Sequence, residues 1–83
     1  MFINKTNDGK NNLCGSVVKS VRLRMGISQR ELADRLQVAG LDVDKNAIQR
    51  IESGQRFVTD IELVALSGVL NCDYGELLLD HSE

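Results

Sequence analysis

Apolar residues recur at helical spacing in five stretches of the chain, and residues typical of caps and turns separate these stretches. The first stretch places four apolar residues on one helix face: Cys14, Val18, Val21 and Met25. Gly26 follows, and glycine readily adopts the left-handed conformation that ends many helices. The pattern predicts a first helix over residues 12–25.

Capping residues predict where the later helices begin. Ser28 and Glu31 have the spacing of a capping box, in which each side chain accepts a hydrogen bond from the backbone N–H of the other residue. Thr59 and Glu62 repeat this spacing, and Asp44 is a good N-cap for the helix that lies between the two boxes. The predicted second to fifth helices span residues 29–37, 45–53, 60–70 and 73–79.

Five helices without a convincing strand predict an all-α fold, a compact five-helix domain. The chain has 83 residues, of which 42% are hydrophobic, and no internal repeat, so it has room for one core. We expect a flexible N-terminal arm over residues 1–11, a folded domain over residues 12–80 and a short tail over residues 81–83.

Composition argues against several classes of protein. Three aromatic residues and no tryptophan leave little for stacking bases or sugars. The apolar runs are shorter than a membrane span, and the N-terminus lacks the apolar centre of a signal peptide, so we expect a cytoplasmic protein without membrane contact. Cys14, Cys72 and His81 lack the spacing of metal ligands, so we expect core thiols, no metal and no cofactor. The chain also lacks a Cys–His pairing and a glycine-rich phosphate loop, so we expect no enzyme.

Charge is distributed unevenly along the chain, although the net charge is only −2. Residues 1–56 contain all ten Lys and Arg together with six acidic residues, a net charge of +4. Residues 57–83 contain six acidic residues and no Lys or Arg, a net charge of −6. The first part could therefore meet an anionic polymer while the acidic part faces away.

The predicted third helix has two chemically distinct faces. One is apolar and contains Ala47, Ile48 and Ile51. The other, with its flanks, carries amides, a hydroxyl and cations: Lys45, Asn46, Gln49, Arg50 and Ser53. An ordinary solvated face is one interpretation, but such faces are usually rich in Glu, and this one has no acid. Amides match the edge of adenine, and cations match guanine or phosphate, so reading of DNA is the other interpretation.

Two motifs flank the predicted turn between helices 2 and 3: GISQRELA at residues 26–33 and IQRIESG at residues 48–54. With the helices around them, they resemble the helix-turn-helix domain of the lambda-repressor and Cro family, the Xre family, over residues 13–79. The resemblance implies that helix 2 crosses the DNA backbone and that helix 3 lies in the major groove. It also implies a transcriptional regulator, here of the repressor type, that binds double-stranded DNA as a homodimer.

The resemblance further assigns roles to individual residues. Base reading is implied for Lys45, Asn46 and Gln49, and for Arg50 at the edge of the same face. Contacts to DNA phosphates are implied for Ser28, Gln29, Arg56 and Thr59. A structural ion pair is implied for Arg22 and Glu52, because a carboxylate near the buried side of helix 3 needs a cation.

The segment QVAGLDVD, residues 37–44, departs from the family, because it is roughly five residues longer than the usual turn. We expect Leu41 and Val43 to pack this turn against the core. Asp42 has no such role, and it lies close to the expected path of the phosphates, where it would weaken binding.

Helix 4 is apolar on more than one face. One stripe contains Leu63, Leu66 and Leu70, and a second set outside it contains Ile61, Val64 and Val69. This excess predicts a symmetric dimer interface. No small-molecule effector is evident. The alternative is a protein-interaction or antitoxin-like module with the same fold and little DNA binding, which the low overall positive charge favours.

Overall fold

The structure, a computed structural model, describes residues 5–6 and 9–78, and these residues form five α-helices joined by turns. The helices are α1 (Gly15–Met25), α2 (Gln29–Val38), α3 (Lys45–Glu52), α4 (Asp60–Leu70) and α5 (Tyr74–Leu77). No strand occurs within the described residues. The predicted all-α, five-helix fold is confirmed, and α2, α3 and α4 begin at the predicted residues.

Local side-chain bonds explain where the helices begin. At α4, Thr59 Oγ1 accepts from the Glu62 N–H at 3.2 Å, and the Glu62 carboxylate accepts from the Thr59 N–H at 3.0 Å, so the predicted capping box is complete. At α2, Ser28 Oγ accepts from the Glu31 N–H at 3.0 Å. The second half of the box predicted there does not form, because the Glu31 carboxylate instead accepts from Arg35 one turn further along.

The first and last helices are shorter than predicted. α1 begins at Gly15, where the Asn12 side chain accepts from the first helical N–H at 2.9 Å. It ends at Gly26, which is left-handed with a φ of 72°, as predicted. α5 ends at Leu77, and Leu79, which was predicted to belong to it, lies outside the described residues.

One cluster of buried apolar side chains holds the helices together. α1 packs against α3, α4 and α5, and α2 packs against α3 and α4. Met25, predicted on the buried face of α1, is 37% exposed, whereas Val17 is buried. The prediction for Met25 was wrong because the residue ends its helix, and the buried face of α1 belongs to the turns before it.

The long turn between α2 and α3 folds back onto α2. The Leu41 N–H donates to a carbonyl oxygen of α2 at 2.9 Å, and the Gln37 side chain donates to the Val43 carbonyl oxygen at 2.8 Å. Val43 is buried, and Leu41 is partly buried against the core. The prediction that this turn packs on the core is confirmed, so its extra length leaves α3 firmly attached to α2.

The two cysteines differ in burial. Cys14 is 2% exposed and belongs to the core, whereas Cys72 is partly buried and packs against the core, so the prediction of core thiols holds for Cys14 and in part for Cys72. Burial raises the pKa of the Cys14 thiol to about 11. Burial also raises the pKa of Cys72, and the nearby carboxylates of Glu76 and Asp73 add to this effect.

We expect a thiol reagent at neutral pH to modify Cys72 in the native protein and Cys14 only after unfolding. The thiolate is the reactive form, and at Cys14 it is both scarce and inaccessible. Timed labelling followed by peptide mass spectrometry, with and without denaturant, measures the two rates. In a Cys72→Ser control, native labelling should nearly stop; rapid native labelling of Cys14 would contradict its place in the core.

Gly15 and Gly68 both lie in helices, but the space around their Cα atoms differs. A Cβ atom on Gly15 would overlap the Ile51 carbonyl oxygen, whereas one on Gly68 would have no atom within 4 Å. We expect Gly15→Ala to lower the free energy of unfolding by at least about 1 kcal/mol, because the backbones must move apart. Gly68→Ala should raise it by about 0.5 to 1 kcal/mol, since alanine is the better helix former. Urea unfolding of both variants tests the contact, and equal effects would argue against it.

Candidate nucleic-acid interface

The polar face of α3 is presented to the solvent. The helix begins at the Asp44 cap, whose carboxylate accepts from the Ala47 N–H at 2.8 Å. Its apolar residues Ala47, Ile48 and Ile51 are buried. All four predicted base-reading residues are exposed together on the other face: Lys45, Asn46, Gln49 and Arg50. The acidic residue of this helix, Glu52, is buried, so the exposed face carries amides and cations alone.

Two shallow grooves join this face to the loop that follows α3. One is lined by Asp44, Asn46, Gln49, Arg50, Ser53 and Gln55. The other is lined by Arg50, Gln55, Arg56, Phe57, Thr59 and Glu62. Arg50 and Gln55 border both grooves, so the predicted base readers Asn46, Gln49 and Arg50 and the predicted phosphate contacts Arg56 and Thr59 lie on one continuous surface. We call the exposed face of α3 together with these two grooves the α3 surface.

Gln55 and Phe57 are parts of this surface that the sequence analysis missed. Gln55 is exposed between the two grooves, and Phe57 is 53% exposed beside them. The position of Gln55 next to Arg56 was an available signal, since an amide beside a predicted phosphate contact suits the same partner. Phe57 carried no signal, because an apolar residue in a loop usually packs inward.

Arg56 is held by an acidic partner rather than extended into solvent. Its guanidinium donates to the Glu62 carboxylate at 2.9 Å, and both side chains are partly buried. Burial acts to raise the pKa of Glu62, but the bonds from Arg56 and Thr59 outweigh it and lower that pKa below its usual value. The ion pair fixes the direction of Arg56, and Thr59 is occupied as the cap of α4.

The basic residues 1–56 and the acidic residues 57–83 are not fully separated in the folded protein. The acidic part was expected to face away from the candidate interface, yet Glu62 lines one of its grooves and Asp60 starts the same helix. The expectation fails for the first turn of α4, because that turn lies beside the loop after α3. Asp42 and Asp44 are also exposed in the turn before α3, so the α3 surface is mixed in charge at its edges.

Behind the α3 surface, Arg22 and Glu52 form a buried, two-pronged ion pair. Arg22 Nε lies 2.6 Å from one Glu52 carboxylate oxygen, and a terminal nitrogen lies 3.1 Å from the other. The other terminal nitrogen of the guanidinium donates to the Ile27 carbonyl oxygen at 2.9 Å. The hydrogen bond to Glu52 raises the pKa of Arg22, and burial opposes it. The pair joins α1 to α3.

Gln29 and Ser28 both make contacts within the protein. The Gln29 amide donates to the Glu52 carboxylate at 3.0 Å, which ties the start of α2 to α3. Ser28 Oγ is used as the cap of α2. Neither residue lines the two grooves, so they lie apart from the other predicted phosphate contacts. Gln29 nevertheless remains at the N-terminus of α2, where unpaired N–H groups favour an anion.

The part of the chain that the structure describes contains neither a membrane-spanning helix nor a cluster of metal ligands. No helix there is long and apolar enough to cross a membrane. No group of three or more His, Cys, Asp or Glu side chains is arranged there to hold a metal ion.

The consecutive helices α2 and α3, with an exposed polar face on the second, have the arrangement of a helix-turn-helix unit. The helix-turn-helix family matches residues 18–77, and the chain belongs to this family, as its lambda-repressor and Cro-like motifs predict. The chain is therefore a DNA-binding protein, and the prediction that it is no enzyme agrees with the family.

One similar solved structure is that of the restriction-modification controller protein C.AhdI from Aeromonas hydrophila. The two chains are 27% identical, with a TM-score of 0.66, over 76% of this chain and 84% of the other. This likeness agrees with the five-helix fold. Among curated proteins, none matches the chain.

Proposed function

We propose that the protein is a sequence-specific regulator of transcription, of the repressor type, which reads the major groove of double-stranded DNA with α3. One observation carries the proposal: the exposed face of α3 displays Lys45, Asn46, Gln49 and Arg50 without an acid among them. Amide and guanidinium groups on one helix face match base edges in the major groove. A repressor needs only to occupy its DNA site, and the controller role in the name of C.AhdI supports a regulator.

Contacts to the DNA backbone are proposed on both sides of α3. Arg56 and Thr59 border the groove next to the base-reading face, and Gln29 with Ser28 stands at the N-terminus of α2. Such contacts orient the protein without reading sequence. Arg56 must either keep its bond to Glu62 while it meets a phosphate or exchange one for the other, so it will neutralise less than a free cation.

Selection from a pool of random duplexes, followed by gel-shift titration of the winners, tests this function. Enrichment of one sequence, ideally a palindrome, is the result that the proposal requires. Competition by random DNA should be weak at moderate salt and stronger at low salt, because backbone contacts are electrostatic. The absence of binding to any duplex at low salt would contradict the proposal and favour the protein-interaction module, which the net charge of −2 already suits.

A homodimer built on α4 and α5 is the proposed binding form. Four large apolar side chains are exposed on these helices or directly after them: Ile61, Val64, Tyr74 and Leu78. An eight-residue α3 is about 12 Å long, so one copy reads only a short half-site. A second copy places another recognition helix about 34 Å away, one turn along the duplex. A second copy of the chain is therefore the partner that both the apolar surface and the short recognition helix require.

We expect sedimentation at micromolar concentration to detect dimer, and Val64→Glu to reduce it, because a charge would be buried at the interface. Val64 is 57% exposed in α4, so the change leaves the core intact. The matched control is Val38→Glu at the end of α2, where the side chain is 91% exposed and lies outside the proposed interface. If the two variants dimerised equally, α4 would not be part of the interface. If the protein were monomeric at all concentrations, with or without DNA, the dimer proposal would be wrong.

A further inference from the structure

The side chain of Asn12 makes three hydrogen bonds, two of them to distant residues of the chain, Ile51 and Arg56. Its amide nitrogen donates to the Arg56 carbonyl oxygen at 2.7 Å and to the Ile51 carbonyl oxygen at 3.1 Å. Its oxygen accepts from the Gly15 N–H at 2.9 Å. Both donors and one acceptor position of the amide are thereby occupied, and the group is partly buried. We call these three bonds the Asn12 bridge.

The Asn12 bridge joins the end of the recognition helix to the loop that follows it. Ile51 lies in the last turn of α3, and Arg56 lies beyond the cap, in the loop beside the α3 surface. The chain reverses direction between Ile51 and Arg56. The Arg50 carbonyl oxygen stabilises this turn, because it accepts from the Gln55 N–H at 2.9 Å and from the Arg56 N–H at 3.2 Å. The bridge therefore ties together the two ends of this turn from outside it.

Residues 10–12, which precede α1, pack closely against the loop that follows α3. A Cβ atom on Gly54 would lie 2.7 Å from carbons of the Lys10 side chain, and Gly54 itself has a φ of +80°. The Asn11 N–H donates to the Gly54 carbonyl oxygen at 2.8 Å, and the Asn11 amide donates to the Gln55 carbonyl oxygen at 2.9 Å. Lys10 and Asn11 fell within the predicted arm, yet they contact the loop that carries Arg56.

We propose that Asn12 is a positioning residue for DNA recognition, a role that rests on the proposed function. It fixes the backbone of Arg56 against the end of α3, and so sets the distance between the phosphate contact and the base-reading residues Asn46 and Gln49. The Arg56 side chain is fixed separately by Glu62, at 2.9 Å. Without the bridge, α3 and Arg56 can each meet DNA, but they no longer meet it in a single, prepared arrangement.

Asn12→Ser isolates this role. A serine keeps an oxygen that can accept from the Gly15 N–H, loses the paired donors to Ile51 and Arg56, and adds no charge. The matched control is Asn11→Ser, the same change one residue earlier, which removes the exposed side-chain bonds of Asn11 to Lys5 and Gln55 and leaves the Asn12 bonds to the Ile51 and Arg56 carbonyl oxygens in place. Should Asn12→Ser be unfolded by circular dichroism, Asn12→Thr, which also keeps an acceptor for Gly15 and adds no charge, takes its place.

Two measurements decide the proposal. Without DNA, amide hydrogen exchange at Gln55 and Arg56 should be about tenfold faster in Asn12→Ser than in Asn11→Ser, with the core amides unchanged. Asn12→Ser should bind the selected duplex about tenfold more weakly than the unmodified protein. The factor by which Arg56→Ala weakens this binding should be at least about threefold smaller in the Asn12→Ser protein than in the unmodified protein. A merely destabilising change would not produce this coupling.

The failures are distinguishable. Binding by the unmodified protein together with additive effects of Asn12→Ser and Arg56→Ala would overturn the positioning role and leave the proposed function intact. Unchanged exchange at Gln55 and Arg56 would overturn the bridge itself. The absence of DNA binding by the unmodified protein would overturn the proposed function, and the role of Asn12 in recognition with it.

Discussion

Replacement of Arg22 by Ala is expected to lower the free energy of unfolding by about 3 to 5 kcal/mol, the cost of stranding a buried carboxylate. Glu52 is 8% exposed, and Arg22 donates to both of its oxygens. Without the guanidinium, Glu52 would retain the neutral amide of Gln29 at 3.0 Å, which cannot balance its charge. The Ile27 carbonyl oxygen would also lose its donor. Urea or thermal unfolding measures the loss.

Arg24 provides the control for this prediction. It lies two residues further along α1 and pairs with Glu76 at 3.3 Å, but both side chains are largely exposed. Exposed pairs contribute little, so Arg24→Ala should change stability by less than about 1 kcal/mol. A double-mutant cycle with Glu52→Ala then measures the coupling directly, and additive effects of Arg22→Ala and Glu52→Ala would refute the pair as a source of stability.

The second large effect is expected on DNA. Truncation of Asn46 or Gln49 to Ala should cost about 1 to 3 kcal/mol for the preferred duplex and much less for random DNA, because the proposed base contact would be lost. Both side chains are exposed on α3, so the fold should not change. Specificity should therefore relax, which is measured by titrating each variant against the selected and the random duplex.

Arg56→Ala should fail in a different way. Loss of a phosphate contact weakens specific and random binding alike, and the log–log dependence of binding on salt should become shallower by up to about 0.9. The change also strands Glu62, whose depressed pKa reflects the bond to Arg56, so stability must be measured in parallel. Arg24→Ala, far along the chain from α3, serves as the control for loss of a cation. If Gln49→Ala preserved the specificity ratio while Arg56→Ala altered it, the proposed orientation of α3 would be wrong.

Much of the fold followed from local features of the chain. Each capping residue acts on an N–H three positions away, and a helical face repeats within a few residues, so the starts of α2, α3 and α4 could be predicted. The same periodicity separated the buried Ile48 and Ile51 from the exposed Asn46 and Gln49. The composition of the exposed face of α3 was therefore available before any tertiary contact was known.

Contacts between distant positions were decided only by the tertiary structure. The pairing of Arg56 with Glu62 depends on how the loop after α3 enters α4, and spacing alone permitted Arg56 to point into solvent. The amide of Gln29, for which a phosphate contact was predicted, lies against Glu52, 23 positions later.

Asn12 is the clearest case. No periodicity links it to Arg56, which lies 44 positions away, and its bonds to Ile51 and Arg56 exist only because α1 packs against α3. Sequence by itself determined which side chains α3 displays, because a helix fixes neighbours through its own geometry. The tertiary structure alone decided how that helix is held beside its loop, because polar groups of distant segments find partners only when the core brings them together.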